Sequence, residues 1–319
     1  MTKRKAGAVA LRMAGIVLVS AVITFFTGVS HRGSEERLRV VASFYPVYIA
    51  ALNVTDGVQG IQLESLAGPQ TGCLHDYQLS PDNLIALEGA DVLLISGAGA
   101  EAFLGDTLNA LPALPVVDLS QGVDLLASDA AHGHDHDHGG EEEVLYNEHI
   151  WTSPQRYAQQ VRNLCDGLCR LDPEYASAYQ ANTEEYLSRI DEVSAQLKET
   201  AALLPDTDCV IFHESLAYLA QDLGLHVAAV IPIGEDQPVS ASQLAQAEQA
   251  IRADRPLWLL YDAQYPSDDY DYLGQKARVS QKLTLDTAVQ GETDKNAWLD
   301  AMQDNLQQLQ AAAGTEGEP

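Results

Sequence analysis

Two series of short apolar runs, each run alternating with a helical pattern, dominate this chain, and a long helical stretch separates them. In the first series Leu38–Tyr45, Val58–Leu66, Val92–Ile95 and Val116–Leu119 have strand character, the first entering a turn at Pro46. Helical patterns cover Asp82–Gly89 and Ala100–Ala110. In the second series strands at Asp208–Phe212, Val227–Ile231, Leu257–Tyr261 and Leu283–Leu285 alternate with helices at Leu216–Leu223 and Ala241–Ala253. A last helix spans about Asn296–Ala313. Between the series, Ser153-Pro154 is an N-cap and first-turn pair opening a helix to about Cys169, and Asp172-Pro173 restarts one that runs to about Leu204. Strands alternating with helices predict βα units. The expected fold is therefore α/β: two α/β lobes with mostly parallel sheets, joined by a long linking helix. Ligands of open α/β sheets bind outside the carboxyl ends of the strands, so the cleft between the lobes is the expected site.

The ends of the chain read differently. Lys3, Arg4, Lys5 and Arg12 precede an uncharged apolar run from Met13 to Val29, the pattern of an export signal. That run is at the lower limit of the roughly 17–25 residues that span a bilayer, so a retained membrane anchor is the alternative to cleavage after Ser30. No Cys follows the run, which excludes a lipid-modified N-terminal cysteine. The expected organisation is a signal sequence or anchor over 1–37, an N-terminal lobe over 38–152, linking helices over 153–204, a C-terminal lobe over 205–313 and a disordered tail over 314–319. Within the first lobe, residues 132–143 form a low-complexity tract of four His and five acids that cannot pack a core and must be solvated.

Charge narrows the function. Residues 1–39 hold seven of the 18 Lys and Arg and two of the 46 Asp and Glu, so the remainder carries 44 acidic against 11 basic residues. Such a surface repels nucleic acid and attracts cations. The four cysteines, Cys73, Cys165, Cys169 and Cys209, are permitted disulfides outside the cytoplasm. Cys165 and Cys169 are helical neighbours, a poor setting for a disulfide, and the pairing stays open.

The histidines are the candidate chemistry. His75 follows a candidate strand in Cys-Leu-His-Asp-Tyr-Gln-Leu-Ser-Pro, His149 sits just before the linking helix, and His213 directly follows the strand Asp208–Phe212. Each stands where it can face a cleft. His226 lies in a lobe turn and reads as structural. Neutral imidazole is a favoured Zn²⁺ ligand, and three His with one carboxylate make a four-coordinate site.

Several stretches resemble the zinc and manganese substrate-binding proteins of ABC transporters. They are Val41-Ala-Ser-Phe-Tyr-Pro-Val-Tyr, His75-Asp-Tyr-Gln-Leu-Ser-Pro, Ala90-Asp-Val-Leu-Leu-Ile-Ser-Gly-Ala-Gly-Ala-Glu, His149-Ile-Trp-Thr-Ser-Pro, His213-Glu-Ser-Leu-Ala-Tyr-Leu and Leu285-Asp. The likeness is collinear from about residue 40 to 312. It implies metal ligands at His75, His149 and His213, with Asp286 as the fourth. It also implies Zn²⁺ as the transported ligand, Mn²⁺ being the alternative, and an ABC transporter permease as partner. The chain departs from the family's usual sequence at Asp262–Asp271 and in the Thr287-Ala288 that follows Asp286.

The chain is thus expected to be exported, to work at the outer face of the cytoplasmic membrane as a monomer, and to be no enzyme. A surface adhesin or metal buffer is one rival. A metal-dependent hydrolase is another, with Glu148 or Glu214 as base, although no His-Glu-x-x-His, nucleophile elbow or phosphate loop is present. Competitors for the fourth ligand are Glu148, Glu214, Asp262, a His of the tract, or water.

Overall fold

The computed structural model describes residues 38–75, 77–128, 145–233, 239–265, 273 and 279–314. The apolar run 13–29 and the tract 132–143 lie outside the described residues, among which no helix is long and apolar enough to cross a membrane. The fold is that of the unit Arg39–Pro319.

Two four-stranded sheets carry it. The first contains β1 (Leu38–Ala42), β2 (Ile61–Ser65), β3 (Val92–Ile95) and β4 (Val116–Asp118) in the order β2-β1-β3-β4, with β1–β3 and β3–β4 parallel. The second contains β5 (Asp208–Phe212), β6 (His226–Ile231), β7 (Leu257–Asp262) and β8 (Val279–Leu285) in the order β6-β5-β7-β8, all parallel. The inner strands of each sheet are buried along most or all of their length, as a sheet covered on both faces requires. Val41, Leu66, Leu87, Leu93 and Leu104 form one core, and Val210, Phe212, Ile231, Leu259 and Tyr261 the other.

The strand expected over Leu38–Tyr45 stops at Ala42. Helix α1 (Tyr45–Val54) begins where a turn at Pro46 was expected, and Pro46 sits in its first turn, where a missing N–H goes unmissed. The helix shows no helical period because it is buried almost all round. Strand β8 begins at Val279 rather than Leu283. It is an edge strand with exposed Ser280, Lys282 and Thr284, so only its apolar end stood out. Helix α2 (Pro81–Glu88) and helix α3 (Gly105–Ala110) flank the first sheet.

Helices α4 (Pro154–Leu171) and α5 (Ala176–Ala201) run between the lobes. Ser153 caps α4 by accepting from the Arg156 N–H. The second sheet adds α6 (Ala217–Asp222), α7 (Ala241–Ala250) and α8 (Ala297–Ala312). Aromatic contacts tie these parts together. Tyr157 of α4 stacks on Trp298 of α8 with ring centroids 4.2 Å apart, and its hydroxyl lies 3.3 Å from that of Tyr186 on α5. Trp151 packs edge-on to Phe44 of the first lobe and donates its indole N–H to the Thr287 carbonyl of the second at 2.9 Å. All four cysteines are free.

Candidate metal centre

Each candidate ligand is fixed by its local chain. Cys73 and His75 sit on the loop between β2 and α2. That loop is anchored where Ser80 and Asn83 exchange capping bonds, and the Asn83 side-chain amide donates to the Leu66 carbonyl at 2.6 Å. His149 precedes the short turn Ile150–Thr152 that Trp151 fastens to both lobes. His213 leaves the carboxyl end of β5 at φ +112°, a conformation that costs a non-glycine residue about 1–3 kcal/mol. It is held there by its N–H to the Ile231 carbonyl and by its ring Nδ1, which accepts from the Ser215 N–H at 3.2 Å.

These loops bring His75, His149 and His213 together. Ring centroids are 5.6 Å apart for His75–His149 and His75–His213, and 5.0 Å for His149–His213. Cys73 joins them: one ligand atom from each of the four residues lies within 4.8 Å of all the others. His149 and His213 are buried, whereas His75 is exposed at the mouth.

Outer contacts orient the rings. Asn147 Oδ1 accepts from His149 Nδ1 at 3.0 Å, which leaves Nε2 with the free lone pair. Glu148 Oε1 lies 3.4 Å from His75 Nδ1, within ion-pair range. The Nδ1 of His213 is 3.9 Å from Asp262 Oδ2. While Nδ1 accepts from Ser215, the neutral ring keeps its proton on Nε2, 3.5 Å from the Tyr265 hydroxyl. Coordination through Nε2 therefore needs the proton on Nδ1, in place of the contact with the Ser215 N–H. Asp262 is itself fixed by Ser215 Oγ at 2.5 Å, Gln264 Nε2 at 2.7 Å and Thr287 Oγ1 at 3.1 Å.

Burial favours neutral imidazoles. Burial, then the neighbouring His213 and His75, hold His149 well below the usual histidine range. Burial and His75 take His213 down to about 3. Both rings are thus unprotonated at neutral pH, as a metal ligand must be. Burial pushes the Cys73 thiol up to about 12, helped by Asp262, so it is protonated at neutral pH. The same burial raises Glu148, opposed by His75.

Asp286 stands outside the four-residue group. It is exposed, its Oδ1 accepts from the Ala288 N–H at 2.7 Å, and Asn305 holds its backbone from both sides. The strand order explains this. Phe212 of β5 is in register with Tyr261 of β7, so the following residues, His213 and Asp262, are neighbours. Asp286 follows β8, one strand further, or about 9–10 Å from β5 at ordinary strand spacing. His226 starts β6 beside Asp208, 3.4 Å from its carboxylate and away from the group, as its structural reading expected. The sequence alone offers Cys73 for disulfides, and its Cys-x-His spacing to His75 is the signal that points to the cleft.

The model of the family described as zinc-uptake complex component A, periplasmic, matches residues 40–312. The chain belongs to this family. Among curated members of this zinc-uptake group, the high-affinity zinc uptake system protein ZnuA of Bacillus subtilis is 23% identical over 299 residues, covering 92% of this chain and 93% of its own. The zinc-binding lipoprotein AdcA of Streptococcus pneumoniae is 22% identical over 315 residues, 96% of this chain but 62% of AdcA, so the chain spans about three fifths of that relative's length. The substrate-binding protein FpvC of Pseudomonas aeruginosa, solved with Mn²⁺, shares the fold with a TM-score of 0.72 at 22% identity, over 88% of this chain and all of FpvC.

Proposed function

We propose that the chain captures Zn²⁺ outside the cytoplasm and passes it to an ABC transporter permease for uptake. The observation that carries the reading is the convergence of three imidazoles, two of them buried and held neutral, one tied from outside by Asn147 and another faced by Glu148. His75, His149 and His213 are the ligands in this account. Imidazole suits Zn²⁺ better than Mn²⁺, which prefers carboxylate and water, so a histidine-rich site argues for zinc. The acidic surface concentrates cations near the cleft. Residues 13–29, if uncleaved, tether the chain to the outer face of the membrane, where a monomer meets its permease.

Deleting the coding sequence in the native host tests the transport step. Cell zinc should fall under chelation and recover with the wild-type chain, but not with His149→Ala. Cell zinc that is unchanged by the deletion refutes a role in uptake.

A further inference from the structure

We propose that Cys73 is the fourth zinc ligand, giving a site of one thiolate and three imidazoles. The inference rests on the zinc reading above and goes beyond it by naming the donor that neutralises part of the charge.

Geometry carries it. A tetrahedral zinc with Zn–S about 2.3 Å and Zn–N about 2.0–2.1 Å separates sulfur and nitrogen by about 3.6 Å. Cys73 Sγ lies 3.6 Å from His149 Nε2, the nitrogen that Asn147 leaves free. Cys73 and His75 flank the buried Leu74, so a one-residue spacing delivers two donors to the cleft. The sulfur is aimed from the opposite lobe. Gln264, just after β7, donates to Cys73 Sγ at 3.2 Å and accepts from the Cys73 N–H at 3.2 Å. Gly72 allows this close approach: it sits at φ +75°, and a Cβ there would lie 3.2 Å from Gln264 Oε1.

The carboxylates nearby are engaged elsewhere. Asp262 stands behind His213 with three side-chain donors, Glu148 faces His75 Nδ1, and Asp286 caps its own turn. Three neutral imidazoles leave a desolvated Zn²⁺ with its full charge, and burying that charge unpaired is costly. A thiolate halves it. When the Zn–S bond forms, the thiol proton leaves to solvent and nothing is oxidised or reduced. Thiolate also selects zinc against the harder Mn²⁺.

X-ray absorption at the zinc edge, on the full chain loaded with one equivalent of Zn²⁺, decides the question. The expected spectrum has one sulfur at about 2.3 Å beside nitrogen and oxygen scatterers. Cys165→Ser/Cys169→Ser and Asp286→Asn should keep that sulfur. Cys73→Ser should lose it and weaken zinc binding; outer-contact losses already run about 10–100-fold, and a direct ligand should cost no less. One bound zinc with only nitrogen and oxygen scatterers overturns the thiolate and leaves the zinc-binding reading intact. A sulfur shell that survives Cys73→Ser also overturns it. A chain that holds no zinc after loading overturns both readings. If Cys73→Ser fails to fold, the wild-type spectrum still decides.

Discussion

Asn147 Oδ1 and His149 Nδ1 are 3.0 Å apart, and that hydrogen bond determines which edge of the imidazole meets an ion. Asn147 also donates its side-chain amide to the Glu214 carbonyl at 2.9 Å, so the orienting residue is itself fastened to the loop after His213. Asn147→Ala should therefore weaken zinc binding about 10–100-fold while leaving the three imidazoles present. Competition against a chelator of known affinity measures it, and wild-type affinity in this variant would show that the ring needs no orienting partner.

Trp151 bridges the lobes through its contact with Phe44 and its indole bond to the Thr287 carbonyl. Trp151→Phe should keep most of the apolar contact and strand a buried carbonyl, costing about 1–3 kcal/mol of stability. Urea unfolding of the two proteins gives the difference. No measurable loss would mean that the bond contributes nothing net.

Glu101 supplies a pH dependence unconnected with the metal centre. Its buried carboxylate accepts from Ser43 Oγ, Ser96 N–H and Gly97 N–H, yet burial still raises it from the ordinary carboxylate value to about 7. The folded state then binds a proton that the unfolded chain has lost, so this group's contribution is fully present below about pH 4.5 and is lost as pH rises through about 7. The stability difference between wild type and Glu101→Gln should shift against wild type between those pH values, by an amount on the order of 1.4 kcal/mol per unit of pKa shift. A difference that is flat with pH would show that Glu101 is ionised in the fold throughout.

Removing residues 132–143 should leave the fold and the tight site intact. The tract lies outside the described residues, but the described segments on either side of it are joined. Ser128 N–H donates to the Leu145 carbonyl and Asn147 N–H to the Leu126 carbonyl, both at 2.9 Å, with Ala127 bridged to Tyr146. Shortening the connection beyond that neck costs little loop entropy. A large loss of tight zinc affinity in the deletion would instead put one of the tract histidines on the ion.

Much of this was legible in the sequence, for identifiable reasons. The inner strands Val92–Ile95 and Asp208–Phe212 are apolar runs bounded by polar residues, and both were located to the residue. The N-cap at Ser153 announced α4. What was missed carried no local period. Helix α1 is apolar on every side, and half of β8 is polar because it is an edge. At the site, His213 directly follows β5 and His149 precedes the turn into α4, while His75 stands on the loop between β2 and α2. The acid was harder to place, since which strand end adjoins His213 depends on the order β6-β5-β7-β8, a tertiary fact that sequence does not print. Cys73 was read for disulfides, although every cysteine is free.

The most direct test of the account is a stoichiometric zinc titration with chelator competition on the wild type, His149→Ala, His213→Ala and His226→Ala. The wild type should bind one ion tightly, the first two variants should lose that site, and His226→Ala, whose ring sits beside Asp208 instead, should bind like wild type. Wild-type affinity in His149→Ala or His213→Ala would contradict the assignment of zinc to this cleft.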